Sequence, residues 1–101
     1  MVVIASEIEP LSGKADEVAR ELQRLGFKIW RIGLTVSVDA PRELWEDVFK
    51  VRFEEVRKIG VREDDYSESY LKAKEGSLVI PASLALSVGA VHFVEPPELH
   101  D

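Results

Sequence analysis

The spacing of hydrophobic residues changes along the chain from helical to strand-like and back. The order of these changes restricts the fold more than any other feature of the sequence. Over residues 14–25, apolar side chains recur every three or four positions, which indicates an amphipathic helix. Over residues 34–39, they alternate with polar side chains, as in a strand with one buried face. Residues 44–49 return to helical spacing. Both kinds of element within 101 residues indicate one domain that mixes strands and helices.

Glycine, proline and serine residues mark the predicted ends of these elements. Ser12 is placed to cap the first helix, and Gly26 is placed to end it. Gly33 is predicted to adopt a positive φ in a hairpin turn that joins residues 27–31 to residues 34–39. Pro41 is predicted at the first position of the second helix, because its missing N–H costs nothing there.

Shorter apolar segments complete the predicted topology. Residues 2–5, with Ile8, indicate a strand at the start of the chain. Residues 70–73 are predicted to form a strand beside residues 53–56, because the polar stretch around them is long for a structureless loop. Two further assignments follow toward the end of the chain. They are a helical turn at residues 81–86 and a last strand at residues 90–94.

The predicted element order is β-α-β-β-α-β with a small β insertion before the last strand. A four-stranded antiparallel sheet with both helices on one face satisfies the rules for short connections and crossovers. We therefore expect an α+β, ferredoxin-like two-layer sandwich. Residues 1–95 are assigned to a single domain and residues 96–101 to a C-terminal tail. Because this architecture hosts many unrelated functions, the fold alone does not identify one.

Composition and charge exclude several classes of function. The 13 basic and 19 acidic residues give a net charge of −6, which argues against nucleic-acid binding because that requires a basic footprint. The chain has no cysteine, so disulfides, thiolate zinc sites and cysteine nucleophiles are excluded. The least charged stretch, residues 76–94, is too interrupted to span a bilayer, and the first residues do not resemble a signal peptide. We expect no membrane partner.

The residue types needed for catalysis or for metal and phosphate binding are sparse. His92 lies within an apolar strand and is predicted to be structural, while His100 is next to last, where termini fray. The acidic run at residues 63–65 lacks the ligand spacing of a calcium loop. No glycine-rich phosphate loop occurs. The sequence therefore predicts a binding or regulatory module that is not an enzyme and holds no cofactor and no metal.

Aromatic residues are distributed over most of the predicted elements. Core packing is favoured for most of the larger ones, because the aromatic signature of RNA-binding sheets is missing. Trp45 lies beside the row formed by Leu44 and Val48, so we expect it to be partly exposed. An exposed tryptophan is a candidate for a protein interface. The residues considered are Trp30, Trp45, Phe49, Phe53 and Phe93.

Three segments together carry a resemblance to a known family. Residues 18–27 read as a helix that ends in Leu-Gly before a strand, and residues 35–41 lead into a helix that ends near residues 48–53. Residues 70–73 precede the segment 79–91, which begins Val-Ile-Pro-Ala-Ser-Leu-Ala. In this order, over residues 15–94, the segments resemble the activation (pro-) domains of sedolisin- and kumamolisin-type serine peptidases. Those domains are similar in fold to subtilisin prodomains.

The resemblance implies a temporary inhibitor and folding chaperone of a subtilisin- or sedolisin-type serine peptidase, acting in cis or in trans. In related prodomains the C-terminal tail lies along the substrate groove, and two prolines would stiffen the tail here. The resemblance also implies secretion if the chain is part of a peptidase precursor, and a cytoplasmic location otherwise. The predicted peptidase-binding residues are Trp45, Glu95, Pro96, Pro97, Glu98, Leu99, His100 and Asp101.

The acidic balance and the fold class leave further hypotheses open. Carboxylates that pair with a basic partner lose that pairing when they are protonated, so acid is predicted to release the module from a peptidase. A small-ligand regulatory domain is an alternative, with the loop at residues 8–13 as its site. An assembly module that pairs through an exposed sheet or edge strand is another.

Overall fold

A computed structural model describes residues 2–58 and 68–94, and it shows the expected α+β class. No helix in these two ranges is long and apolar enough to cross a bilayer. The elements, in chain order, are β1 (Val3–Pro10), α1 (Ala15–Arg24), β2 (Lys28–Ile32), β3 (Val36–Pro41), α2 (Arg42–Phe49), β4 (Phe53–Lys58), β5 (Glu68–Ala73) and β6 (Val88–Phe93).

The described strands form two sheets. The larger sheet has the order β2-β3-β1-β6, and each neighbouring pair is antiparallel. β4 and β5 form a separate antiparallel pair in which Phe53 lies opposite Ala73 and Val56 opposite Tyr70. The predicted pairing of residues 53–56 with residues 70–73 is therefore confirmed.

The two helices cover one face of the larger sheet. Ile4, Ser6 and Ile8 of β1 and Val36 and Val38 of β3 are buried, while the alternate residues Ala5, Glu7 and Ser37 point the other way. Side chains from both helices share this core, because alternating strand residues and helical stripes each leave one apolar side to bury. The helical contributors are Val18, Ala19, Leu22, Trp45 and Phe49.

α1 ends as its sequence predicts but begins differently. Gly26 adopts φ +106° just after the helix, and its N–H donates to the carbonyl of Gln23 at 3.0 Å. The N–H of Phe27 donates to the carbonyl of Leu22, also at 3.0 Å, which completes a Schellman motif. The prediction that Ser12 caps the helix is wrong. Lys14 occupies the N-cap without a side-chain hydrogen bond, because Gly13 takes a positive φ and separates Ser12 from the first turn.

Two other local predictions are also wrong. Gly33 does not have a positive φ; instead, its N–H donates to the carbonyl of Thr35 at 2.9 Å in a wider loop. Pro41 is the N-cap of α2 rather than its first helical residue, since its ψ of 149° is still extended. Residues 81–87 form successive turns with bonds three residues apart, which fits the predicted helical turn, without a regular helix.

An aromatic cluster joins the layers. The Trp45 ring lies 4.7 Å from Phe27, 5.2 Å from Phe49 and 4.9 Å from Phe93, measured between centroids. Phe93 in turn lies 5.3 Å from Phe53 at the start of β4, in an edge-to-face arrangement. These rings connect β6 of the larger sheet, α2, the segment between α1 and β2, and the β4–β5 pair through one set of contacts.

Candidate interaction face

Trp45 is not a surface residue. Its side chain is 0% exposed, and its Nε1 donates a 2.9 Å hydrogen bond to the backbone carbonyl of Ile4. The prediction of partial exposure is wrong because the buried row of α2 runs through Trp45 and Phe49, whereas Leu44 and Val48 are only half-buried. Trp45 therefore has no surface available for direct contact with a peptidase.

The other predicted peptidase-binding residues lie outside the residues that the structure describes. Their contact with a substrate groove stays a prediction, as does any role for the acidic run at residues 63–65. They are Glu95, Pro96, Pro97, Glu98, Leu99, His100 and Asp101.

Trp30, rather than Trp45, is the exposed tryptophan. Trp30 is 62% exposed and is the extra residue of a bulge, since the pairing of β2 passes from Ile29 directly to Arg31. Its Nε1 donates to a carboxylate oxygen of Asp39 at 2.5 Å, and the Lys28 Nζ lies 4.2 Å from the centroid of its ring. The indole is therefore held in place on the sheet face opposite the helices.

This face, hereafter the open face, shows two rows of side chains across all four strands. The row nearest Trp30 joins Asp39 of β3 to Ala5 of β1, and the N–H of Val94 donates to the Ala5 carbonyl at 3.1 Å. Val3 and Val94 are both more than half exposed. This row thus presents an indole, a carboxylate and small apolar side chains. Its members are Lys28, Asp39, Ala5 and Val94.

The second row is polar and internally hydrogen-bonded. A carboxylate oxygen of Glu7 accepts hydrogen bonds from the hydroxyls of Thr35 at 2.5 Å and Ser37 at 2.8 Å. These two bonds lower the pKa of Glu7 from its usual value, and the charge of Arg31 adds to the effect. The imidazole of His92 pairs with Glu9. The row runs Arg31, Ser37, Glu7, His92 across the sheet.

These polar groups do not form a catalytic constellation. The Ser37 hydroxyl donates to Glu7, and the His92 imidazole pairs with a different carboxylate, so hydroxyl and imidazole are not arranged as nucleophile and base. Within residues 2–58 and 68–94, no group of three or more histidines and carboxylates is placed to hold a metal ion. The arrangement suits recognition of a surface, because fixed polar groups surround an exposed aromatic ring.

The loop considered for a small ligand is tightly bonded within the chain. The N–H of Leu11 donates to the Ser87 carbonyl at 2.8 Å, and the N–H of Lys14 donates to the Leu11 carbonyl at 2.9 Å. Two of the backbone donors that a phosphate or carboxylate ligand would use are therefore already engaged.

A scan against protein-family models, a search of curated proteins and a search of solved structures found no match for this chain. What the open face binds is therefore inferred from its own residues.

The sequence does contain one signal for the exposure of Trp30. Lys28 and Trp30 share the same strand parity, so a period of two places Trp30 on the side that faces solvent.

Proposed function

We propose that the chain is a non-catalytic module that binds a serine peptidase through the open face and acts as its temporary inhibitor and folding chaperone. The observation that carries this proposal is the exposed, immobilised ring of Trp30. Tryptophan is enriched among the few residues that dominate binding energy at protein interfaces. Because Asp39 and Lys28 already fix the indole, little rotamer freedom is lost on docking.

We also propose that the architecture is ferredoxin-like. The order β2-β3-β1-β6 with antiparallel neighbours supports this. In this order β1 and β2, which α1 connects, are not neighbours, because β3 lies between them. The β4–β5 pair is then an insertion between α2 and the last strand. In this arrangement both described helices pack on the side of the sheet opposite the open face.

The remainder of the open face suits a protein partner better than a small ligand. Apolar surface at Val3, Ala5 and Val94 lies beside charged groups at Lys28 and Asp39. A protein interface combines an apolar centre with a polar rim over a broad, flat area. A small-molecule site is instead concave and encloses most of its ligand.

Binding of this kind explains both proposed activities. A module that binds a folded peptidase and not its unfolded chain stabilises the folded form by mass action. The residues that follow β6 include two consecutive prolines, which favour an extended conformation that a substrate groove accepts. The open face would supply affinity, and the tail would block the groove.

Inhibition of a panel of subtilisin- and sedolisin-type peptidases tests the proposal. We expect at least one peptidase to be inhibited, and Trp30→Ala to raise its inhibition constant by about tenfold or more. Leu86→Ala is the matched control, since Leu86 is 86% exposed and lies in the turns before β6. Failure to inhibit any peptidase, or equal effects of the two variants, would contradict the proposal.

Refolding of the inhibited peptidase provides the second test. The denatured catalytic domain is diluted into buffer with the wild-type module, with Trp30→Ala or with neither. We expect the yield of active enzyme to be highest with the wild type. Equal yields in all three would remove the chaperone role. A thermal shift with amino acids or nucleotides, or concentration-dependent sedimentation without peptidase binding, would favour the alternative ligand-binding or assembly functions.

A further inference from the structure

A groove runs along the edge of the larger sheet, between α1 and β2. Its volume is about 420 Å³, and it is partly open to solvent. Ala19, Ile29 and Ile32 provide its apolar floor, while Asp16, Arg20 and Gln23 form its polar rim. β2 is the outermost strand of the described sheet and pairs only with β3 there. The outer edge of its backbone therefore lies directly beside the groove.

An extended peptide placed along this edge would have two chemically different sides. Cross-strand neighbours point to the same face of a sheet, and alternate residues point to opposite faces. Side chains of the added strand that lie next to Ile29 and Ile32 would enter the groove. The intervening side chains would lie next to Lys28 and Arg31, on the open face.

The charge on this edge is opposite to that of the molecule. The chain carries a net charge of −6, yet at the outer edge of β2 the three basic residues Arg20, Lys28 and Arg31 outnumber the two acidic residues nearby, Asp16 and Asp39. Among the residues that the structure describes, the ion pairs within 4.0 Å involve other basic side chains. Lys28 lies over the Trp30 ring and the charge of Arg31 reaches Glu7, but neither is held in one of these ion pairs, so both can also meet the carboxylates of an acidic strand.

We propose that β2 binds an acidic peptide by strand addition, with apolar side chains in the α1–β2 groove and carboxylates beside Lys28 and Arg31. Backbone pairing supplies affinity in this mode, and the groove and the cations supply specificity. The preferred peptide alternates apolar and acidic residues. The groove lies on the helical side of the sheet, and the site can be tested without a peptidase, although Lys28 also borders the Trp30 ring on the open face.

A second copy of the chain fits the same edge poorly. Two β2 strands side by side would bring Lys28 and Arg31 of one copy close to the same residues of the other, and like charges in that position repel. The bulge at Trp30 adds a further mismatch, because two bulged strands must align their irregularities to pair. An acidic strand removes the first obstacle, since opposite charges then meet.

Fluorescence anisotropy with labelled hexapeptides tests the site. One peptide alternates valine and glutamate, and its partner replaces each glutamate by lysine. We expect the acidic peptide to bind the intact chain about tenfold or more tightly than the lysine peptide. The double variant Lys28→Glu/Arg31→Glu should invert this preference. The matched control, Arg52→Glu/Lys74→Glu, changes the same charge at exposed positions beside β4 and β5 and should retain it.

Backbone methylation tests strand pairing itself. Only one of the two alternating sets of amides in an added strand faces β2. We therefore expect binding to be lost when one set is N-methylated and kept when the other set is. Retention of binding by both methylated peptides, absence of a charge preference, or NMR shifts on β6 instead of β2 would overturn the proposal. Sedimentation as a dimer that the acidic peptide cannot dissociate would do the same.

Discussion

Three aromatic rings surround Trp45, and its indole N–H is bonded to a backbone carbonyl of β1. The ring therefore fills space between the layers, while the N–H fixes α2 relative to the sheet. Trp30 is the same residue type in the opposite setting, at the surface. Its N–H is bonded to a side chain on its own surface, and most of the ring contacts solvent.

Substitution at the two tryptophans should separate these roles. We expect Trp45→Ala to lower the free energy of unfolding by about 3–5 kcal/mol, through lost burial and a residual cavity. Trp45→Phe keeps a ring but removes the donor to Ile4, which costs about 1–3 kcal/mol. Trp30→Ala should cost less than about 1 kcal/mol, since exposed sites tolerate truncation. Urea denaturation measures all three, and equal losses at both positions would contradict the assignment.

Glu7 should control part of the acid sensitivity of the fold. Because Thr35 and Ser37 lower its folded-state pKa, the ionised carboxylate stabilises the native state above the usual glutamate pKa. This contribution declines as the pH falls below about 4.3 and through the folded-state pKa. Thr35→Val/Ser37→Ala should raise the pKa of Glu7 in a carboxyl NMR titration and flatten the fall in stability below that pH.

Ser87→Ala is the matched control for the Glu7 titration. It removes the 2.7 Å hydrogen bond that lowers the pKa of Glu17, on the helical side of the sheet. It should raise the pKa of Glu17 and leave that of Glu7 unchanged. A Glu7 pKa that does not move in the hydroxyl double variant would show that the two hydrogen bonds are not its cause.

At the scale of elements, periodic patterns predicted what depends on burial. The stripes of α1 and α2, the alternation in β3 and the pairing of β4 with β5 all follow from apolar faces that must meet a core. The caps and turns were harder to predict. Ser12 and Gly33 have suitable chemistry, but the path of the backbone into the sheet determined which residues took the special conformations.

The same dependence on the backbone path explains why the sequence pattern wrongly predicted that Trp45 is partly exposed. A helical row locates an apolar stripe but not its centre, and a shift of one position exchanges Trp45 with Leu44. The bulge in β2 was likewise not visible from the sequence, because it depends on the register with β3. The tail could be assigned a role only through the family resemblance, and that role stays a prediction.

The end of α2 offers a test of backbone strain. Lys50 adopts φ 57°, in the left-handed region that costs a residue with a Cβ about 1–2 kcal/mol. Lys50→Gly relieves this strain but adds about 0.5–1 kcal/mol of unfolded-state entropy. We expect a net stabilisation of about 0.5 kcal/mol in thermal or urea unfolding.

Gly13→Ala is the control, and its expected effect on stability has the opposite sign to that of Lys50→Gly. Gly13 has φ +76°, and an added Cβ would meet no atom within 4 Å, so only backbone strain is introduced. We expect it to destabilise the chain by about 1 kcal/mol. Destabilisation by Lys50→Gly would indicate that the lysine side chain contributes more than its backbone costs.

At the scale of the whole molecule, Phe93 contributes to the coupling of the two sheets, alongside Leu71 and Ala73 of β5, which also pack against the core. Phe93 on β6 touches both Trp45 in the core and Phe53 at the start of β4. Phe93→Ala should therefore accelerate amide hydrogen exchange in β4 and β5 more than in the larger sheet. Val91→Ala, on the same face of β6, is the control. It should not accelerate exchange in β4 and β5 relative to the larger sheet. Equal acceleration of both sheets by Phe93→Ala would contradict the coupling.

Acid-dependent release from a peptidase is also a property of the whole molecule. It depends on which carboxylates are not already engaged within the chain and can contact a partner. Glu17 and Glu21 are bonded within the chain, to Ser87 and Arg24. On the open face, Asp39 accepts the Trp30 N–H at one carboxylate oxygen, and its other oxygen can face a basic group of a peptidase. A carboxylate that pairs with a basic group holds it only while ionised, so affinity is full when the carboxylates of the open face are charged and is lost as they become protonated.

We therefore expect the inhibition constant toward a susceptible peptidase to rise markedly between neutral pH and about pH 4, where carboxylates become protonated. Asp39→Asn should raise the constant at neutral pH and reduce its dependence on pH. Glu17→Gln, in the helical layer, should leave both unchanged. An acid-stable peptidase whose inhibition is constant over this range would show that carboxylates of the open face do not contribute to binding.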